Sequence, residues 1–165
     1  MHPTTAVIVM GVSGSGKTTL GRALAARLGW AFADADDFHP PANVEKMARG
    51  EPLTDADRAP WLAALHAVIA RHAREGSPLV LACSALKDRY RQTLTGDLGG
   101  VRFVHVHGPR ELIEARMRAR QHFMPPSLLD SQFAALEPPT DAVMVDIARP
   151  VEQEVEQVVR ALELA

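Results

Sequence analysis

Gly11-Val12-Ser13-Gly14-Ser15-Gly16-Lys17-Thr18 packs three glycines, a lysine and three hydroxyls into eight residues. The spacing is G-x-x-x-x-G-K-[ST], and phosphate chemistry asks for each part of it. Glycines let successive backbone N–H groups converge on phosphate oxygens, where a Cβ would intrude. Lys17 can reach the β and γ phosphates of a bound nucleoside triphosphate, and Thr18 can offer its hydroxyl to Mg²⁺. Gly11, Ser13, Gly14, Ser15 and Gly16 then form the cradle, and the helix that follows aims its positive end at the anion. From average composition, a chain of this length matches the pattern by accident roughly once in two hundred. An apolar run precedes the motif and helical spacing follows it, so a chance glycine-rich turn is set aside. The dinucleotide fingerprint is the rival, and it fails because the glycines run G-x-x-G-x-G with a lysine next.

A second set of residues could hold the group that receives phosphate. Asp34-Ala35-Asp36 closes a short apolar segment, where open α/β sheets place ligands. Two acids there can divide the labour: one for the water shell of Mg²⁺, one to accept or orient the proton of an acceptor hydroxyl. Arg58 carries a fixed fork suited to a carboxylate. Lys87 and Arg91 lie four apart, which on a helix puts them on one face. With Arg58 they would make a small cationic pocket for an anionic substrate. Arg116, Arg118 and Arg120 crowd one stretch, from which an arginine could stabilise charge on a transferring phosphoryl group. Arg149 is a candidate for the base pocket.

The histidines separate by context. His39 and His122 flank the expected cleft and are candidates for hydroxyl contacts. His66 and His72 read as helix-surface residues. His105 and His107 share a strand face, but no third ligand stands at metal-site spacing. Cys83 is apolar-flanked and reads as inert.

These side chains need elements to hold them. Ala6–Met10 is a continuous apolar run, as expected of a central parallel strand buried on both faces. Leu20, Ala23, Leu24 and Leu28 recur at helical spacing until Gly29 stops the helix. Further strands are predicted at 31–34, 79–83, 101–107 and 142–147. Helices are predicted from Pro40-Pro41 to about Gly50, and from a cap at Asp55 or Asp57 to Gly76. Others run to about Leu94, from Pro109 to about Arg120, and over the apolar face Val151, Val155, Val158, Val159 and Leu162. Such alternation predicts an α/β fold, with a five-stranded parallel sheet between two helical layers. Residues 121–140 resist it. Prolines bound that stretch and an amphipathic run lies within it, as in a lid.

Composition bounds the rest. The 165 residues suit one domain, 47% are apolar, and the net charge is −2. That balance leaves no footprint for nucleic acid or an anionic membrane. One cysteine cannot form an internal disulfide, which favours a reducing compartment. The segment before Ala6 has no positively charged region, and Ala6–Met10 is too short for a signal peptide or membrane span. The expectation is a cytoplasmic protein.

Longer motifs sharpen the reading. They are Gly11 to Thr19; Asp34-Ala35-Asp36-Asp37-Phe38-His39-Pro40 with Asn43, Lys46 and Met47; and Gly50-Glu51-Pro52-Leu53-Thr54-Asp55 with Asp57-Arg58-Ala59-Pro60-Trp61-Leu62. Ala82-Cys83-Ser84-Ala85-Leu86-Lys87 with Tyr90-Arg91 follows, then His122-Phe123-Met124-Pro125, Ser131-Gln132-Phe133 and Leu136-Glu137-Pro138. Over nearly its whole length the chain resembles the gluconokinases of the shikimate-kinase-like P-loop group. The resemblance implies a three-layer α/β/α P-loop NTPase fold, residues 1–165 as one kinase domain, and a helical lid at about 120–140. It implies ATP and Mg²⁺, D-gluconate as acceptor, 6-phospho-D-gluconate as product, and a homodimer. Thr19 joins the nucleotide-binding residues. Asp36 stands at the acceptor hydroxyl and Asp34 nearer the metal with Thr18. Arg58, Lys87 and Arg91 face the acceptor with His39 and His122, and Arg116 or Arg120 reaches in from the lid. Lys17, Asp36 and Arg120 form the catalytic set. The alternative is a related kinase for another anionic hydroxy acid such as shikimate. A GTPase switch is excluded by the missing N-K-x-D guanine reader. The third strand ends in Cys83-Ser84 with no acid, so Mg²⁺ must lean on Thr18, Asp34 and water.

Overall fold

Five apolar residues in succession, Ala6–Met10, form β1, and every one of them is buried. The computed structural model describes residues 3–119 and 129–164. Four strands join β1: β2 (Ala31–Asp34), β3 (Leu79–Ala82), β4 (Val101–His107) and β5 (Val143–Asp146). All neighbours pair in parallel, in the order β2-β3-β1-β4-β5. β1 is thus covered by a strand on each side and by helices on each face, which is why no polar residue interrupts it. The chain leaves β1 toward one edge and returns to the other, so a crevice opens at the carboxyl end of β1.

The helices among the described residues are α1 (Lys17–Leu28), α2 (Pro41–Ala48), α3 (Asp55–Glu75), α4 (Asp88–Thr95), α5 (Arg110–Ala119), α6 (Leu129–Ala135) and α7 (Val151–Leu162), with a 3-10 turn at Ala35–Phe38. Strand alternation splits the core into two faces. Val7 and Val9 pack with Leu20 and Leu24 of α1, Ile113 of α5, and Val155 and Val158 of α7. Ala6, Ile8 and Met10 pack with Leu62, Leu65 and Ile69 of α3 and with Tyr90 and Leu94 of α4. Each buried side chain of this size contributes about 1.5–3 kcal/mol.

Element ends follow local chemistry. Gly29 closes α1 in the left-handed region, and Pro41 opens α2 after Pro40, both as the sequence predicts. The cap of α3 differs from expectation. Thr54 is the N-cap, and Asp57 is its reciprocal partner three residues into the helix. The hydroxyl accepts the Asp57 N–H at 3.1 Å, and the Asp57 carboxylate accepts the Thr54 N–H at 2.8 Å. A T-x-x-D capping box satisfies two end donors, where Asp55 alone would satisfy one. Among the described residues, no helix is long and apolar enough to cross a membrane.

Candidate active site

The turn after β1 is shaped by contacts that only glycine permits. At Gly11 a Cβ would lie 2.7 Å from the Val106 carbonyl oxygen. At Gly14, with φ +79°, it would lie 2.5 Å from Met117 Cγ. Ser15 closes the turn by donating its hydroxyl to the Val12 carbonyl at 2.7 Å. Gly16 is the left-handed N-cap of α1 and supplies no side-chain cap, which leaves the first N–H groups of α1 open to an anion. Lys17 folds back to donate to the Val12 carbonyl at 3.1 Å. Burial draws its pKa down from the ordinary lysine value, and the Asp36 and Asp34 carboxylates oppose that shift. Thr19 lies exposed in the first turn of α1.

Metal chemistry has its candidates within reach of this turn. The Thr18 hydroxyl donates to Asp34 Oδ2 at 2.7 Å, and Asp34 Oδ1 accepts the Asp36 N–H at 3.0 Å. A hydroxyl and a carboxylate side by side are hard oxygen donors, and they fit a Mg²⁺ ion that keeps most of its waters. The described residues contain no group of three His, Cys, Asp or Glu that could hold a metal ion. Ser13, Gly14, Gly16, Lys17, Thr18, Asp34, Asp36, Ala82 and Met117 line a cleft of about 270 Å³.

A second, smaller cavity of about 40 Å³ adjoins it, walled by His39, Arg58, Trp61 and Gln132 among others. Ser13, Lys17 and Asp36 line both spaces. Each wall of the small cavity is fixed from behind. The His39 ring stacks on Trp61 with centroids 4.1 Å apart, and Trp61 donates its indole N–H to the Ala35 carbonyl at 2.7 Å. Asn43 Nδ2 bonds His39 Nδ1 at 3.3 Å and the Asp57 carbonyl at 2.9 Å. With Asn43 as donor, Nδ1 accepts, and the imidazole proton sits on Nε2, 4.0 Å from Asp36 Oδ1. Burial first, and the Arg58 charge second, push the His39 pKa down to about 4, so the ring is neutral. Lys46 pairs with Asp57 at 2.7 Å and holds its carboxyl at about 2, which ties α2 to α3.

Arg58 donates to the Leu53 carbonyl at 2.7 Å and to the Tyr90 hydroxyl at 3.1 Å, with its guanidinium over the Tyr90 ring. Tyr90 in turn donates to Asp55, which also pairs with Arg89. Those bonds, the Tyr90 one foremost, hold the Asp55 carboxyl below its usual range. Lys87 stands at the edge of this group, 4.0 Å from Asp55.

Comparison with known proteins fixes the family. A family described as AAA domain matches residues 7–139. The gluconokinase of Gluconobacter oxydans is 54% identical over 136 residues, spanning 82% of this chain and 76% of that protein. The chain belongs to the gluconokinase family. A gluconokinase structure from Sinorhizobium meliloti superimposes with a TM-score of 0.86 at 42% identity, covering 98% of this chain and 94% of that one. An unliganded sugar kinase from Janibacter superimposes at 0.93 with 46% identity, covering 99% and 96%. As a gluconokinase-family member with an intact phosphate turn, the chain is a nucleotide-using kinase.

The family's expected site residues do not all converge. The phosphate turn, Thr18, Asp34, Asp36, His39 and Arg58 come together. Arg91 does not: it is buried, and it donates to the Ala85 carbonyl at 2.7 Å and the Glu137 carbonyl at 2.8 Å. The expected shared face of Lys87 and Arg91 fails because Lys87 is the extended N-cap of α4, outside the helix. Arg149 is exposed beside Glu152 and Gln153 of α7. Arg116 donates to the Ile147 carbonyl at 3.0 Å, near Glu154, whose pKa burial raises to about 7. Arg120 and His122 lie outside the described residues. Burial pushes the Cys83 thiol up to about 12, in keeping with an inert side chain.

Three participants carry no predicted role in the sequence reading. Asn43 and Trp61 set the His39 ring, and in the sequence both stand only within the family motifs. Gln132 of α6 accepts the Ser13 N–H at 2.7 Å. Its helix is held at the far end by Glu137, whose N–H donates to the Leu86 carbonyl at 2.7 Å and whose carboxylate accepts the Asp88 N–H at 2.8 Å.

Proposed function

We propose that the chain transfers the γ-phosphoryl group of ATP to D-gluconate, giving ADP and 6-phospho-D-gluconate, with Mg²⁺. The observation that carries the reading is that Ser13, Lys17 and Asp36 line both the phosphate cleft and the cavity walled by His39 and Arg58. A transferring group must touch both spaces, and a phosphate ligand and a carboxylate at their junction are what the transfer needs.

ATP with its metal supplies the electrophilic phosphorus and the leaving group. The residues do the rest. Backbone N–H groups of Ser13 to Lys17 and the Lys17 ammonium stabilise charge on the phosphate oxygens, in a site partly withdrawn from water. Thr18 and Asp34 would hold the metal. Asp36 orients the acceptor hydroxyl and takes its proton as the new O–P bond forms. Arg58 meets the acceptor carboxylate, Lys87 adds positive potential at the rim, and the His39 Nε2–H donates to a hydroxyl. α6 belongs to a lid over the phosphate turn. The family resemblance also supports a homodimer and a cytoplasmic location; equilibrium sedimentation measures the first. The reading is tested by product analysis. Gluconate, ATP and Mg²⁺ incubated with the protein should give a phosphate monoester at C6 by ³¹P and ¹³C NMR. No ester, or one at another carbon, would refute it.

A further inference from the structure

We propose that Gln132 couples the two substrate clefts: its side chain and a γ-phosphate compete for the Ser13 N–H, and the side chain turns to the acceptor when the phosphate wins. The inference rests on the phosphoryl-transfer reading above.

Gln132 Oε1 accepts the Ser13 N–H at 2.7 Å, and Nε2 lies 3.4 Å from the Ser13 hydroxyl. Ser13 lies where the phosphate cleft meets the acceptor cavity, so the transferred group passes beside it. A phosphate oxygen there needs the same N–H that the amide oxygen holds. The amide oxygen is therefore the natural stand-in for phosphate, and the two are mutually exclusive on that donor.

Gln132 also lines the acceptor cavity, whose volume is about 40 Å³. An acceptor seated there would lie against the Gln132 side chain. The backbone of α6 is poorly placed to move. Leu129 is fully buried in the core, and the chain after the helix is pinned through Glu137 to Leu86, Asp88 and Arg91. Rotation of the Gln132 side chain costs less than undocking that helix. Once released from Ser13, the amide offers one donor group and one acceptor to hydroxyls nearby, which suits a polyhydroxy acid.

The consequence is a coupling that depends on the γ-phosphate. Gluconate should bind more tightly when a γ-phosphate is present than with ADP or no nucleotide, by about three- to tenfold, the worth of one hydrogen bond. Calorimetric titration of gluconate into the full chain tests this in three states: alone, with Mg²⁺-ADP, and with a Mg²⁺-bound non-hydrolysable ATP analogue. Gln132→Met keeps the side-chain length and should abolish the enhancement. Equal gluconate affinity in all three wild-type states would overturn the proposal, as would an enhancement that survives in Gln132→Met.

Gln132→Glu gives a second route should the methionine variant not fold. It keeps an oxygen on Ser13 but sets a carboxylate against the γ-phosphate. The ATP analogue should bind at least ~tenfold more weakly while ADP binding changes little. Equal weakening of both nucleotides would overturn the exchange at Ser13. This comparison needs no acceptor. A wild-type protein that never binds gluconate would therefore count against the substrate reading, while the nucleotide comparison would still decide on Ser13.

Discussion

Arg58→Ala separates the acceptor role of this arginine from its structural one. Arg58 is half-buried, with bonds to the Leu53 carbonyl and the Tyr90 hydroxyl. Losing those two bonds should cost about 1 kcal/mol each in stability. Losing a charge-assisted bond to the substrate carboxylate should cost about 1.5–3 kcal/mol in binding, a rise of roughly ten- to a hundredfold in the KM for gluconate. The two costs are read separately, by thermal melting and by steady-state kinetics well below the melting point. A third readout is internal. Burial is the first cause of the low His39 pKa of about 4, and the Arg58 charge is the second. The substitution should move the His39 titration upward while leaving it below 6.5, as NMR of the imidazole resonances would record. An unchanged KM for gluconate, with the His39 shift seen, would refute the placement of Arg58 in the acceptor pocket.

Lys17→Ala should remove most turnover while leaving the melting curve near wild type; an undiminished kcat would contradict the role of Lys17 at the phosphates. Asp36→Asn should lower kcat more than it weakens ATP binding. Lost ATP affinity with kcat intact would assign Asp36 to the nucleotide instead. Glu154 gives a pH prediction. Its folded pKa of about 7 lies above the ordinary 4.5, so its contribution is fully present below 4.5 and is lost as pH rises through 7. Glu154→Gln should therefore raise stability at pH 8 by up to about 3 kcal/mol and change little at pH 4. Denaturant unfolding at the two pH values checks it, and an equal change at both would contradict a titrating Glu154.

The sheet was legible because burial on both faces writes itself as uninterrupted apolar runs, as in Ala6–Met10 and Leu79–Ala82. Glycine and proline punctuation located Gly29, Gly76 and Pro41 for the same local reasons. The donor half of the site is one contiguous motif, so spacing alone exposed it. The acceptor half is spread over five elements, and there pairwise spacing misled. The Lys87–Arg91 pairing assumed a helix that begins one residue too late to include Lys87. The role of Arg91 depends on Glu137, 46 positions away, which no local pattern announces. The Gln132–Ser13 bond spans 119 positions, and the family motif that contains Gln132 does not announce its partner. Thr54 caps α3 although Asp55 and Asp57 close to it offer the same chemistry, so residue type alone does not choose among them.

The central claim is that the junction at Ser13, Lys17 and Asp36 serves an acceptor whose carboxylate meets Arg58. The direct test is ADP release in a coupled assay with ATP and Mg²⁺, run across gluconate, shikimate, glucose and nucleoside monophosphates. Turnover with gluconate, and background rates with neutral glucose and the nucleotides, is the expected result. Glucose matching gluconate, or shikimate exceeding it, would contradict the account.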